Sequence, residues 1–165
     1  MKKTIVRAII CLLVVGSFVP ITFKVIEYKN TKEYGNKIRD VSDDIYSASI
    51  LPYYLCGKVA DALKASNPTD NLSESIDSLQ ESWSARYDIM ENEKSKIDIK
   101  MKTFKSPPKK YVKAYSYLQK EYEEYNTLYD LSINPTGTYA SYLNDCYNHK
   151  INLFSYENTT ADLLP

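Results

Sequence analysis

Histidine and glycine are scarce in this chain: one histidine and four glycines occur in 165 residues. So few glycines, set against 21 basic and 21 acidic residues, exclude a glycine-rich nucleotide-binding loop and argue against a β-sandwich. The lone His149 leaves no ligand set for a metal centre and no base for a cysteine nucleophile. Asp145 precedes it by four residues, on one helical face, yet the Glu-x-x-His pairs of a di-metal bundle are missing. The adjacent carboxylates Asp43-Asp44 and Glu123-Glu124 point different ways on a helix and read as solvated faces. Net charge is zero, and from Asn30 onward 16 basic residues face 20 acidic ones. A nucleic-acid binder needs a basic surface, so that class is excluded. No enzyme, cofactor or metal is expected.

What the chain does have begins at its amino end. Lys2, Lys3 and Arg7 precede an apolar run, Ala8 to Phe23, that no charge interrupts before Lys24. Sixteen helical residues span roughly 24 Å, short of a hydrocarbon layer of about 30 Å. Ile5, Val6, Val25 and Ile26 extend the run if Arg7 and Lys24 snorkel. The pattern predicts membrane insertion through residues 5–26, with the amino terminus cytoplasmic and the remainder extracytoplasmic. A cleaved signal peptide is the alternative, although Val14 and Val15 are poor residues three positions before the small Gly16 and Ser17. A lipid-modified Cys11 fits less well, with almost no apolar run ahead of it.

The remainder predicts an all-α fold: an N-terminal transmembrane helix (1–26), then an antiparallel up-down four-helix bundle (27–157) and a short tail (158–165). Ile38, Val41, Ile45, Ala48, Leu51, Leu55, Val59 and Leu63 recur at threes and fours, marking a first helix over 31–64. Pro52 should kink or break it. Asn71 with Glu74 has the spacing of a reciprocal cap. A second stripe then includes Leu72, Ile76, Leu79, Trp83, Tyr87, Met90, Ile97, Met101 and Phe104, and Lys94 weakens it. Ser106 and Pro107 read as the start of a third helix ending at Ile133, before Asn134-Pro135-Thr136-Gly137. Thr138 caps a fourth, whose apolar residues are Tyr139, Tyr142, Leu143, Cys146, Ile151 and Phe154. The tail frays or folds back on Leu163 and Leu164. Short connections make neighbours antiparallel.

Three features offer chemistry. Tyr111, Tyr115, Leu118, Tyr122, Tyr125 and Tyr129 follow one face of the third helix; the stripe reads as a packed seam with hydroxyls at the rim, or as a ring-binding platform. Cys56 and Cys146 fall at the same height on helices that neighbour each other in a closed ring, so a disulfide is geometrically allowed and export permits it. Two separate buried thiols remain the other reading. Finally, Lys94, Lys96, Lys100, Lys102, Lys105, Lys109, Lys110 and Lys113 surround one acid, Asp98. The second turn of the bundle returns toward the membrane, so this cluster either contacts anionic headgroups or is a solvated turn, partly neutralised by Asp40, Asp43 and Asp44.

Ser106-Pro107-Pro108-Lys109-Lys110-Tyr111, with Leu131-Ser132-Ile133-Asn134-Pro135-Thr136-Gly137, resembles small, anchored or exported helical proteins of Gram-positive bacteria, over about residues 106–157. The resemblance implies an extracytoplasmic location and no activity, and its motifs are caps and turns. Cys56 and Cys146 are not part of that pattern. The expectation is a non-enzymatic surface protein that binds or scaffolds an envelope partner, or a ligand-sensing ectodomain with Pro52 and the seam tyrosines shaping a pocket.

Overall fold

A computed structural model describes the backbone of residues 2–65, 77–79 and 81–165, and the side chains of those residues from 31 onward. The reciprocal cap at Asn71 and Glu74, the start of the second stripe, and the side chains of the apolar run 5–26 lie outside the described residues. Among the described residues there is no strand, and from residue 31 onward no helix is long and apolar enough to cross a membrane. The protein is all-helical, with its long helices gathered into a bundle.

Helix α1, Lys2–Ala65, runs for 64 residues without interruption. Its buried line is Ile38, Val41, Ile45, Leu55, Cys56 and Val59, close to the expected stripe. Pro52 does not break it. A proline removes one intrahelical hydrogen bond, but Pro52 is itself buried, between the fully buried Ile45 and Leu55. Packing on both sides of the lost bond holds the helix together.

Helix α2, Ser84–Lys102, buries only Met90 and Ile97, and Phe104 just beyond its end continues that period of seven. Lys94 interrupts the seam as expected. Its ammonium lies 2.9 Å from Asp98 and 5.6 Å from the centre of the Tyr129 ring. The expected N-cap at Ser106 does not form. Ser106 and Pro107 each precede a proline, which disfavours the helical conformation for both. Pro108 is extended (ψ 143°), and a 3-10 turn, Lys109–Tyr111, leads into helix α3, Val112–Ile133. Helix α4, Tyr139–Asp162, opens as expected: the Thr138 side chain accepts from the Ser141 amide at 3.3 Å, and Ser141 Oγ accepts from the Thr138 amide at 3.0 Å. Gly137, at φ 91°, supplies the left-handed turn before it. Helix continues through 158–162, and Leu163 and Leu164 pack on the core.

Side-chain pairs give the directions. Tyr54 meets Trp83, Asp44 pairs with Lys100, and Tyr34 meets Phe104, so α2 descends along α1. Ser42 bonds Glu121 and Cys56 faces the Leu128 carbonyl, so α3 ascends parallel to α1. Tyr142 reaches the Leu131 carbonyl and Tyr156 meets Tyr117, so α4 descends. Successive helices therefore alternate, and α1, α3 and α4 make the main packed unit. The α1–α3 contact is direct, whereas a closed ring would separate these two across its centre. A larger core joins Ile38, Ile45, Leu118, Tyr125, Leu128 and Leu153; a smaller one gathers Cys56, Val59, Ala60, Tyr142 and Cys146.

Candidate functional site

Helix α4 buries Tyr142 and Cys146 as expected, but not the other apolar residues its composition suggested. Tyr142, Cys146, Leu153 and Thr160 face inward, at spacings of four and seven, whereas Leu143, Ile151 and Phe154 are exposed. Two interior helices meet α4, and a 24-residue helix with apolar residues on several faces can satisfy them with only one narrow line. The surplus apolar side chains lie outside, beside Tyr46, Ile50 and Tyr54 of α1, which are also exposed.

Between α1 and α4, Tyr46, Ile50, Ile151 and Phe154, with Tyr53 and Tyr147, line a cleft of about 390 Å³. Tyr46 and Phe154 meet across it with ring centres 6.1 Å apart. Ile50 and Ile151 form the outer lip, and Leu153 belongs to the floor. Ser49 turns its hydroxyl onto the Tyr46 carbonyl at 2.7 Å, leaving the floor largely apolar. Lys150 is the one charged residue of the lining, and its ammonium sits 4.1 Å above the Tyr53 ring. A cation held over an aromatic face is stabilised without a carboxylate and retains its attraction for an anion.

The tyrosine seam differs from its sequence reading by one position. Tyr111, Leu118 and Tyr125 are fully buried, while Tyr115, Tyr122 and Tyr129 sit half-buried at the edge. The inward line is Tyr111, Ala114, Leu118, Glu121, Tyr125 and Leu128, and it includes a carboxyl that sequence reasoning did not single out. Glu121 is completely buried. Its Oε2 accepts from Ser42 Oγ at 2.7 Å, and Oε1 has no partner in the protein. Burial is the main cause raising its pKa, to about 8; Glu157 and Asp43 add to this, and the Ser42 bond opposes it. At pH 7 the group is therefore mostly an uncharged acid. Its signal in the sequence was spacing: Glu121 falls three after Leu118 and four before Tyr125. The seam hydroxyls do not converge on a ring-binding platform. Tyr122 donates to Asp98 at 2.6 Å, and the Tyr125 hydroxyl is buried without a partner.

His149 takes its partner from α3. Its Nδ1 lies 2.5 Å from Glu124 Oε2, and Asn152 donates to the other oxygen at 3.2 Å. Asp145, the partner its spacing suggested, is not involved in that contact. Glu124 is correspondingly half-buried and not a solvated face. Among the described residues no group of three or more potential ligands could hold a metal ion.

Cys56 and Cys146, 90 positions apart in sequence, share the smaller core. Both are free thiols, and both are buried in that cluster. The eight lysines do not act alike. Lys94 pairs with Asp98, Lys96 with Glu93 at 2.7 Å, and Lys100 with Asp44 of α1. Lys102, Lys105, Lys109, Lys110 and Lys113 are exposed around the turn after α2. That turn lies against the foot of the bundle, where Tyr34 donates to the Lys105 carbonyl at 3.2 Å and stacks on Tyr111. Comparison with family models, with curated proteins and with solved structures finds no match to this chain.

Proposed function

We propose that this chain is a single-pass, membrane-anchored protein whose antiparallel, up-down four-helix bundle lies outside the cytoplasm. It acts without catalysis, by binding a helix of an envelope protein in the cleft between α1 and α4. The anchor rests on residues 5–26 with their flanking cations, and on the likeness of residues 106–157 to exported helical proteins. The observation that carries the binding role is the exposed apolar face of Tyr46, Ile50, Tyr147, Ile151 and Phe154 around Lys150. Monomeric proteins seldom expose contiguous patches of this kind unless they bind something there.

The occupant is an amphipathic helix with a carboxylate opposite Lys150. From Leu143 to Phe154 the apolar line runs roughly 16 Å along α4, or about three helical turns, which suits a helix laid in a groove. A second copy fits poorly. Two chains rooted in one membrane relate by an axis along its normal, which sets each Lys150 toward its twin and repels the pair. The exposed lysines 102, 105, 109, 110 and 113 belong to the same reading as a headgroup contact, since the turn carrying them flanks the start of the described part of α1. A small-molecule sensor is the second reading, favoured by a cleft volume within the range of ligand pockets.

A photo-crosslinking residue at Tyr147 in the full chain tests this in cells. The expected adduct is one peptide with apolar residues at helical spacing and a carboxylate, lost on Lys150→Glu and retained on Lys120→Glu. An adduct between two copies, or one indifferent to Lys150→Glu, rejects the proposal. Thermal stabilisation by small apolar anions with no protein adduct favours the sensor.

A further inference from the structure

The smaller core brings together two thiols that are distant in the chain. Cys56 stands on α1 and Cys146 on α4, each almost completely inaccessible to solvent. Around them are Val59, Ala60 and Tyr142, so the site is dry. The Cys56 thiol faces the Leu128 carbonyl at 3.9 Å. The Tyr142 hydroxyl donates to the Leu131 carbonyl at 2.9 Å, and the residue packs in the same cluster as the sulfurs. No third ligand accompanies them among the described residues, and the ring of His149 is engaged by Glu124, so neither a metal site nor a thiol catalyst is built here.

We infer that Cys56 and Cys146 are a closable dithiol: they form a disulfide that pins α1 to α4 beside the cleft. Two buried thiols in one small cluster on packed helices can reach bonding distance, about 2.05 Å, by side-chain rotation and a small approach. The asymmetry of the pair suits the chemistry. The neighbouring Cys56 thiol lowers the Cys146 pKa, while the Cys56 pKa is pushed up by the same neighbour and by burial. The Cys146 thiolate attacks a sulfur of a small or protein disulfide oxidant and releases one thiol. The Cys56 sulfur, losing its proton, then attacks the mixed disulfide and releases the second. Two protein S–H bonds and one oxidant S–S bond become one protein S–S bond and two oxidant S–H bonds. Two electrons pass to the oxidant.

Cys56 lies three residues beyond Tyr53, and Cys146 adjoins Tyr147, so the bond pins the two helices beside residues that line the cleft. It also closes a loop that contains α2 and α3, which restricts the unfolded chain strongly. Its effect on the cleft rests on the binding role proposed above; the bond itself does not.

The test uses the full chain with Cys11→Ser, which removes the remaining thiol. The protein is equilibrated with reduced and oxidised glutathione, both folded and during a brief pulse at its melting midpoint, so that burial cannot hide the sulfurs. It is then acid-quenched, denatured, alkylated and weighed intact. The expected product has lost two hydrogens, carries no alkyl group or glutathione at either position, and melts roughly 10 °C higher than the reduced protein. Alkylation of both thiols after the oxidising pulse, a glutathione adduct left on either, or an unchanged or lower midpoint overturns the proposal. Thiol trapping in intact cells separates this from the location reading. A pair that closes in the purified protein but is reduced in cells overturns the extracytoplasmic location and leaves the dithiol standing.

Discussion

At the scale of single residues, Glu121 has the clearest energetic consequence. Its carboxyl is ordinary in the unfolded chain, at 4.5, and is pushed up to about 8 when folded. Between those values the folded state holds a proton that the unfolded state has released, so stability declines as pH rises. Its stabilising effect is complete below pH 4.5, is lost progressively up to about pH 8, and changes no further above that. Glu121→Gln keeps a neutral group of the same shape. It should remove this slope and raise stability at pH 8 by on the order of 2–4 kcal/mol. Urea unfolding of both proteins between pH 5 and pH 9 measures it, and parallel pH profiles would refute the assignment. Gly35 makes the opposite case. A Cβ there would stand 2.7 Å from Cζ of Tyr111, whose ring is buried and has no room to retreat. Alanine improves helix propensity by about 1 kcal/mol, yet overpacking should outweigh that and leave Gly35→Ala less stable by about 1–3 kcal/mol. Tyr111→Phe in that background removes the atom nearest the clash and should recover part of the loss; a Gly35→Ala protein more stable than its parent defeats the argument.

At the scale of elements, the helices are unequal partners. Helix α3 buries Ala114, Leu118, Glu121, Tyr125, Leu128 and Ser132, whereas α2 buries Met90 and Ile97. Helix α2 is held instead by side chains at its edges: Lys100 to Asp44, Tyr122 to Asp98, and Tyr87 to the Ser132 carbonyl at 3.3 Å. Partly exposed polar contacts of this sort contribute little each. Amides of residues 86–98 should therefore exchange at least tenfold faster than those of 116–130 in native-state hydrogen exchange. Equal protection of the two helices would show that the bundle opens as one unit. How much of this was legible differs by element. The stripe of α1 and the cap at Thr138 could be read directly, because both depend on neighbours three and four positions away. The start of α3 could not be taken from Ser106 alone, because the second proline denies Pro107 the helical conformation.

At the scale of the whole molecule, charge distribution matters more than net charge. Lys94, Lys96 and Lys100 are neutralised within the bundle, while Lys105, Lys109 and Lys113 stay exposed near its foot. Headgroup attraction reaches about 1 kcal/mol per lysine at the surface and fades within a screening length of about 8–10 Å. In the full chain reconstituted into bilayers, anionic lipid should slow acylation of Lys105, Lys109 and Lys113 several-fold relative to neutral lipid. Lys96, already paired and further along α2, should change little. Acylation rates that ignore lipid charge at all four positions would remove the headgroup contact from the account.

The sequence by itself determined the helical class, most of the α1 stripe and the capped start of α4. Each follows from residue type and from spacings within a single helix. Only tertiary structure decided which apolar residues of α4 are buried, that Glu121 belongs to the core, that His149 answers to Glu124, and that Cys56 shares a cluster with Cys146. These outcomes depend on how α1, α3 and α4 turn about their own axes when all three pack together. A rotation of one position exchanges Tyr122 for Glu121 in the seam and turns Leu143, Ile151 and Phe154 outward. No periodicity within one helix encodes that choice, because it is settled by the shapes of the other two.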